Sequence, residues 1–161
     1  MRLAIIADTH MPRGRRRLPE RCVEELQAAD LIVHAGDFSD SSVLAALRDV
    51  GPLVAVQGNV DTPELRRELP ESVSFEAAGA TLAVVHDAGP AKGRLDRLRA
   101  RFPGADAVVF GHSHLPLHEE RDGFQIFNPG SPTERRRAPT RTMGRARVSG
   151  GAIAFELIEL G

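Results

Sequence analysis

Five short apolar runs punctuate this chain, and each gives way at once to polar side chains. Residues 3–7 lead into Asp8 and His10, 31–35 into Gly36–Asp37, and 53–57 into Gly58–Asn59. Residues 82–85 lead into His86–Asp87, and 108–110 into Gly111–His112–Ser113–His114. Unbroken apolar runs of this length suit strands covered on both faces rather than half-exposed ones. Between the first three runs lie two stretches of helical spacing. Residues 18–29 place Leu18, Cys22, Val23 and Leu26 on one side; residues 40–50 follow Asp40, a natural N-cap together with the serines beside it. Strand, helix, strand, helix, strand predicts parallel pairing through helical crossovers, and so an α/β fold.

The second half has a different texture. Residues 72–86 read as two strands turning near Gly79, 91–102 as an amphipathic helix, and 104–112 as a further buried strand. Two hairpins follow, with turns at Arg121–Asp122–Gly123 and at Ser149–Gly150–Gly151. No repeat or low-complexity linker interrupts the 161 residues, which are enough for a sizeable core, so one domain over 1–161 is expected. No apolar run approaches membrane-spanning length, and the N-terminal one is cut by Asp8, which does not suit a signal peptide. Cys22 is the single cysteine, so no intrachain disulfide can form and a cytoplasmic location is expected. A net charge of −1, with no tryptophan or tyrosine for base stacking, makes nucleic acid an unexpected partner.

The polar residues at the run ends suggest chemistry. In open α/β sheets, ligands bind just past the carboxyl ends of the strands. Asp8, His10, Asp37, Asn59, His86, His112 and His114 offer oxygen and imidazole nitrogen, donors suited to Mn, Ni, Fe or Zn. The set contains no thiolate, which argues against a cysteine-rich structural zinc site. Seven donors are too many for one ion but suit two divalent transition-metal ions sharing a carboxylate. On an extended segment His112 and His114 would face the same way, so that each could reach a different ion. Singly, each motif is an ordinary turn or cap; jointly, and in this order, they favour ligation.

D-x-H, G-D, G-N, a strand-terminal H and G-H-x-H, in that order, resemble the calcineurin-like metallophosphoesterase superfamily. The chain length and the sequence Asn128–Pro129–Gly130–Ser131 are similar to its small prokaryotic phosphodiesterase branch. The resemblance implies two packed, mixed β-sheets flanked by helices, an α/β/β/α sandwich. It implies that Asp8, His10 and His114 hold one ion, that Asn59, His86 and His112 hold the other, and that Asp37 bridges them. It further implies a small phosphate-ester substrate attacked by a hydroxide held at the metals, with Asp37, Asn59 and His112 central to catalysis, and it is compatible with a homo-oligomer. The alternative is a catalytically weak or inactive protein-interaction scaffold of the same fold.

Two positions depart from the family pattern. Val60 follows Asn59 where many members carry a histidine, which leaves protonation of the leaving group to water or another side chain. Asp87 follows His86 where glycine is common, and is expected to orient a metal-bound histidine. Elsewhere, His34 is expected to be a buried, hydrogen-bonded histidine, with support of the ligands as the alternative. His118 is expected in a solvated hairpin, and Cys22 in the core. The basic run 13–17 fits a solvated loop and a phosphate-attracting rim equally, whereas 134–141 leans towards substrate contact.

Overall fold

In the computed structural model, which describes residues 1–161, the apolar runs become strands of two five-stranded sheets, all inner except the third, which forms an edge. The first sheet has the order β10-β9-β1-β2-β3, with β1 Arg2–Ile6, β2 Leu31–His34, β3 Leu53–Ala55, β9 Thr142–Ser149 and β10 Ala152–Glu159. The second runs β4-β5-β6-β8-β7, with β4 Ser72–Ala77, β5 Ala80–Val85, β6 Ala107–Val109, β7 Leu117–Arg121 and β8 Phe124–Asn128. Strands β1, β2 and β3 pair in parallel, as do β5, β6 and β8; the remaining pairings β1–β9, β9–β10, β4–β5 and β7–β8 are antiparallel. Both sheets are mixed, as the resemblance implied.

Alternation along the strands sorts the core into three layers. Leu3, Ile5 and Ala7 point between the sheets, where they meet Leu82, Val84, Val109 and Phe127. Ala4, Ile6 and Ile32 point outward under Cys22 and Leu26 of α1 (Glu20–Gln27), Leu44 and Leu47 of α2 (Ser41–Val50), and Leu65 of α3 (Pro63–Glu68). On the far side Ala83, Val108 and Ile126 lie under Leu95 and Leu98 of α4 (Arg94–Arg101). The result is helix, sheet, sheet, helix.

Asp40 caps α2 as expected, accepting the Ser42 N–H at 2.9 Å. The six-residue α3 is an addition to the sequence reading. Thr62 caps it and Pro63 opens it, but with Leu65 its one buried residue it has no apolar stripe for periodicity to find. No helix is long and apolar enough to cross a membrane.

Candidate metal centre

All seven predicted donors lie past the carboxyl ends of β1, β2, β3, β5 and β6, and the structure brings them together from both sheets. Two buried groups place one donor atom per residue within 4.8 Å of one another: Asp8, His10 and His114, and Asp8, Asp37 and His86. Asp37 Oδ2 stands 3.5 Å from His10 Nε2 and 3.3 Å from His86 Nε2, so one oxygen reaches an imidazole of each group. His114 Nε2 is 3.5 Å from Asp8 Oδ1 and 3.1 Å from His10 Nε2. Asn59 Oδ1 meets His86 Nε2 at 2.9 Å and His112 Nδ1 at 3.0 Å, which adds the two remaining donors to the Asp37–His86 side.

The backbone makes this convergence possible in an unusual way. Asp8, His10, Asp37, His112 and His114 all have φ between 45° and 73°, in the left-handed region that side chains other than glycine seldom adopt. The extended geometry expected at 112–114 is therefore corrected: the segment bends at both histidines. The separation still occurs, with His112 at Asn59 and His114 at Asp8 and His10. Glycines supply the room. Gly36 has φ +91°, and a Cβ there would lie 2.8 Å from His86 Nδ1. A Cβ on Gly58 would overlap the carboxylate and backbone nitrogen of Asp37. The glycines of the G-D and G-N motifs thus make space for ligands.

Hydrogen bonds outside the cluster fix the rings. His86 Nδ1 donates to the Ala35 carbonyl at 2.7 Å, and His114 Nδ1 to the Glu134 carbonyl at 3.1 Å. With the proton on Nδ1, each Nε2 turns a lone pair towards a carboxylate oxygen, an arrangement made favourable only by a cation between them, a proton or a metal ion. Asp87 has no part in this: it is exposed and accepts the Gly89 N–H at 2.8 Å, so the expected orienting role belongs to the Ala35 carbonyl.

The turn at 128–131 ties the ligand loops to each other. Ser131 Oγ donates to the Asp8 carbonyl at 2.8 Å, Thr133 Oγ1 to the Thr9 carbonyl at 2.8 Å, and Asn128 Nδ2 to the Gly111 carbonyl at 3.0 Å. Asp61, which no sequence motif singles out, is a buried hub. Its carboxylate accepts the N–H groups of Gly58 at 2.7 Å, Ser39 at 2.8 Å and Asp37 at 3.2 Å, joining the loops after β2 and β3. Arg66 donates to the carbonyls of Asp61 and Asn59 from the other side of that loop. His34 is buried as expected, accepting the Gly36 N–H at Nδ1 (3.1 Å) and meeting Thr9 Oγ1 through Nε2 (3.1 Å). His118 is exposed, as expected, but its Nε2 is held 2.8 Å from Gln125 Oε1.

Electrostatics points the same way as the tautomers. Burial pushes the Asp8 carboxyl up to about 8, a shift that the nearby Asp37 charge reinforces and His86 opposes. Burial lowers His10, and takes His114 down to about 4. Burial also works to raise Asp37, but hydrogen bonding to His86, its charge and the Val60 N–H at 3.0 Å outweigh this and hold it below the usual carboxylate range. Burial works to lower His86, but Asp37 and Asp8 outweigh it and raise the ring above its ordinary value. Carboxylates desolvated beside imidazole lone pairs form a donor set that fits divalent transition metals.

A two-sheet sandwich that gathers carboxylate, amide and imidazole donors past five strand ends has the architecture of a metallophosphoesterase. The chain belongs to the calcineurin-like phosphoesterase superfamily, whose domain model matches residues 1–151. It is 32% identical over 163 residues to a "Probable metallophosphoesterase" of Methanothermobacter thermautotrophicus, covering 100% of this chain and 94% of that protein. Vps29 of Chaetomium thermophilum superposes with a TM-score of 0.81 at 17% identity, covering 98% of this chain and 97% of that one. A structure described as a novel archaeal phosphodiesterase gives 0.72 at 19% identity, covering 98% and 100%. At such identities these two structures show the shared fold alone. Membership of the family supports a metal-dependent phosphoesterase.

Proposed function

We propose that this protein is a phosphodiesterase acting on small phosphate esters with a dinuclear centre. Asp8, His10 and His114 would hold one divalent transition-metal ion and Asn59, His86 and His112 the other, with Asp37 available to both. The observation that carries this reading is the position of Asp37 Oδ2, within 3.5 Å of an imidazole from each half. The archaeal phosphodiesterase among the structures of the same fold supports the diester preference.

When bound, the cations supply Lewis acidity for the phosphoryl oxygens and acidify water to make a nucleophile at neutral pH. The chain's own residues prepare the site. The carbonyls of Ala35 and Glu134 fix the ring tautomers, and the Val60 N–H orients Asp37. The charge of Arg136 acts on Asp8, His10 and His114, adding positive potential where a phosphate would arrive. Val60 has no side-chain proton to give, so departure of the leaving group relies on solvent, and esters of acidic alcohols are favoured.

The test is metal content alongside hydrolysis with manganese supplied. Purified protein is expected to retain two equivalents of transition metal and to hydrolyse bis(p-nitrophenyl) phosphate faster than p-nitrophenyl phosphate. Asp37→Asn is expected to lower this activity by at least about 10³-fold. A protein that holds no metal, or an Asp37→Asn variant as active as its parent, overturns the reading.

A further inference from the structure

Beside the centre lies a cleft of about 440 Å³. Ser113, the residue between His112 and His114, is part of its wall; Leu115, Pro116 and Pro139 give it an apolar surface, and Arg94 and Arg137 give it charge. Neither arginine takes part in any of the molecule's ion pairs. Arg94 is held in place, donating to the Gly89 carbonyl at 3.1 Å with its guanidinium 5.1 Å from the centre of the Phe110 ring. Arg137 is exposed, in the loop whose Glu134 carbonyl fixes His114. Ser113 Oγ accepts from the Leu115 N–H and from Asn128 Nδ2, both at 3.2 Å, which leaves its own O–H free to donate.

Two unpaired cations and a free hydroxyl donor on an apolar wall, next to the ligand loop, define a subsite for an amphiphilic anion. We infer that this cleft receives the non-leaving arm of the diester, and that it selects arms with an aryl or similarly apolar body ending in a carboxylate or phosphate. This rests on the phosphodiesterase reading above. A second cleft differs in chemistry. It is lined by Gln57, Glu71, Asp87, Arg66 and Arg101 alongside Asn59 and His86, with Val85 its one apolar residue, so it mixes both signs of charge. A negatively charged, apolar arm therefore belongs on the Ser113 side.

The experiment uses the manganese-loaded full chain and three diesters with one leaving group, p-nitrophenolate. The second aryl ring carries a 4-carboxylate, no substituent, or a 4-trimethylammonium group. For the wild type, kcat/KM is expected to fall in that order, with the carboxylate about 10-fold above the unsubstituted ester. Arg137→Gln should bring that ratio close to one and Arg137→Glu should invert it, while Arg147→Gln, exposed on β9, should leave it unchanged. Arg94→Gln should also reduce the ratio, giving a second reading should one variant fold poorly. Equal rates on all three esters, or an unaltered ratio in Arg137→Glu, overturn the subsite. Failure to hydrolyse any of the three would instead count against the phosphodiesterase reading.

Discussion

The two halves of the metal centre are built differently. Asp8, His10 and His114 are all buried; Ser131 and Thr133 hold the Asp8–His10 loop by its backbone carbonyls, and the Glu134 carbonyl fixes the His114 ring. On the other side His86 is buried, but Asn59 and His112 are exposed, and their side chains meet each other, with Asn59 also reaching His86. Rigidity is concentrated where a cation would be enclosed, and access is concentrated where a substrate would enter. A preorganised inner half beside a more open outer half suits a site that keeps one ion while exchanging ligands at the other.

Substitutions can break or sharpen this contrast, and the largest effects belong to the buried half. His10→Ala should lower diester hydrolysis by about 10³-fold or more and strip metal from the protein, whereas His112→Ala should cost about 10²-fold and leave close to one equivalent bound. Paired measurements of metal content and rate check this, and equal metal loss in the two variants would erase the distinction.

A smaller effect concerns the metal-free protein. Burial pushes the folded Asp8 carboxyl up to about 8 from an ordinary 3.8, so the native state holds a proton that the unfolded chain has released. Stability from this group is therefore lost as pH rises through that window. In chelator, Asp8→Asn should gain on the wild type between pH 5 and pH 8 by a few kcal/mol, read as several degrees in Tm. A constant difference across the range would contradict it.

The smallest effect lies beneath the centre. Burial, which excludes the charged ring, takes folded His34 down to about 3 from an ordinary 6.5. Here the unfolded chain takes up the proton, so stability is complete above pH 6.5 and declines towards pH 3. In metal-free protein, the unfolding free energy of the wild type from urea titrations should drop between pH 7.5 and pH 5.5 by about 1 kcal/mol more than that of His34→Gln. Parallel pH profiles for the two proteins would count against this assignment.

The sequence made the donors legible because each follows an apolar run, and made the hairpins legible because turn residues such as Asp122–Gly123 and Gly150–Gly151 mark them. It left two kinds of feature hidden. Left-handed backbone at Asp8, Asp37 or His112 has no signature in residue type, since the strain is sustained by surrounding loops rather than by local preference. Long-range pairing is equally silent: nothing in residues 142–159 says that β9 lies against β1. Asp61 had no sequence signature because two of its three partners, Asp37 and Ser39, lie on another loop. The expectation for Asp87 failed because adjacency in sequence to His86 does not give adjacency to its ring.

The centre also has a mechanical role. Its donors come from β1, β2 and β3 on one sheet and from β5 and β6 on the other, so bound cations would act as a cross-link over the open end of the sandwich. Prying the layers apart would then require ligand bonds to break, coupling the protein's resistance to unfolding to metal supply. Conversely, any sliding of one layer over the other would alter the spacing between the two proposed ion sites, so the packing of Leu3, Ile5 and Phe127 would set the dimensions on which the proposed turnover depends.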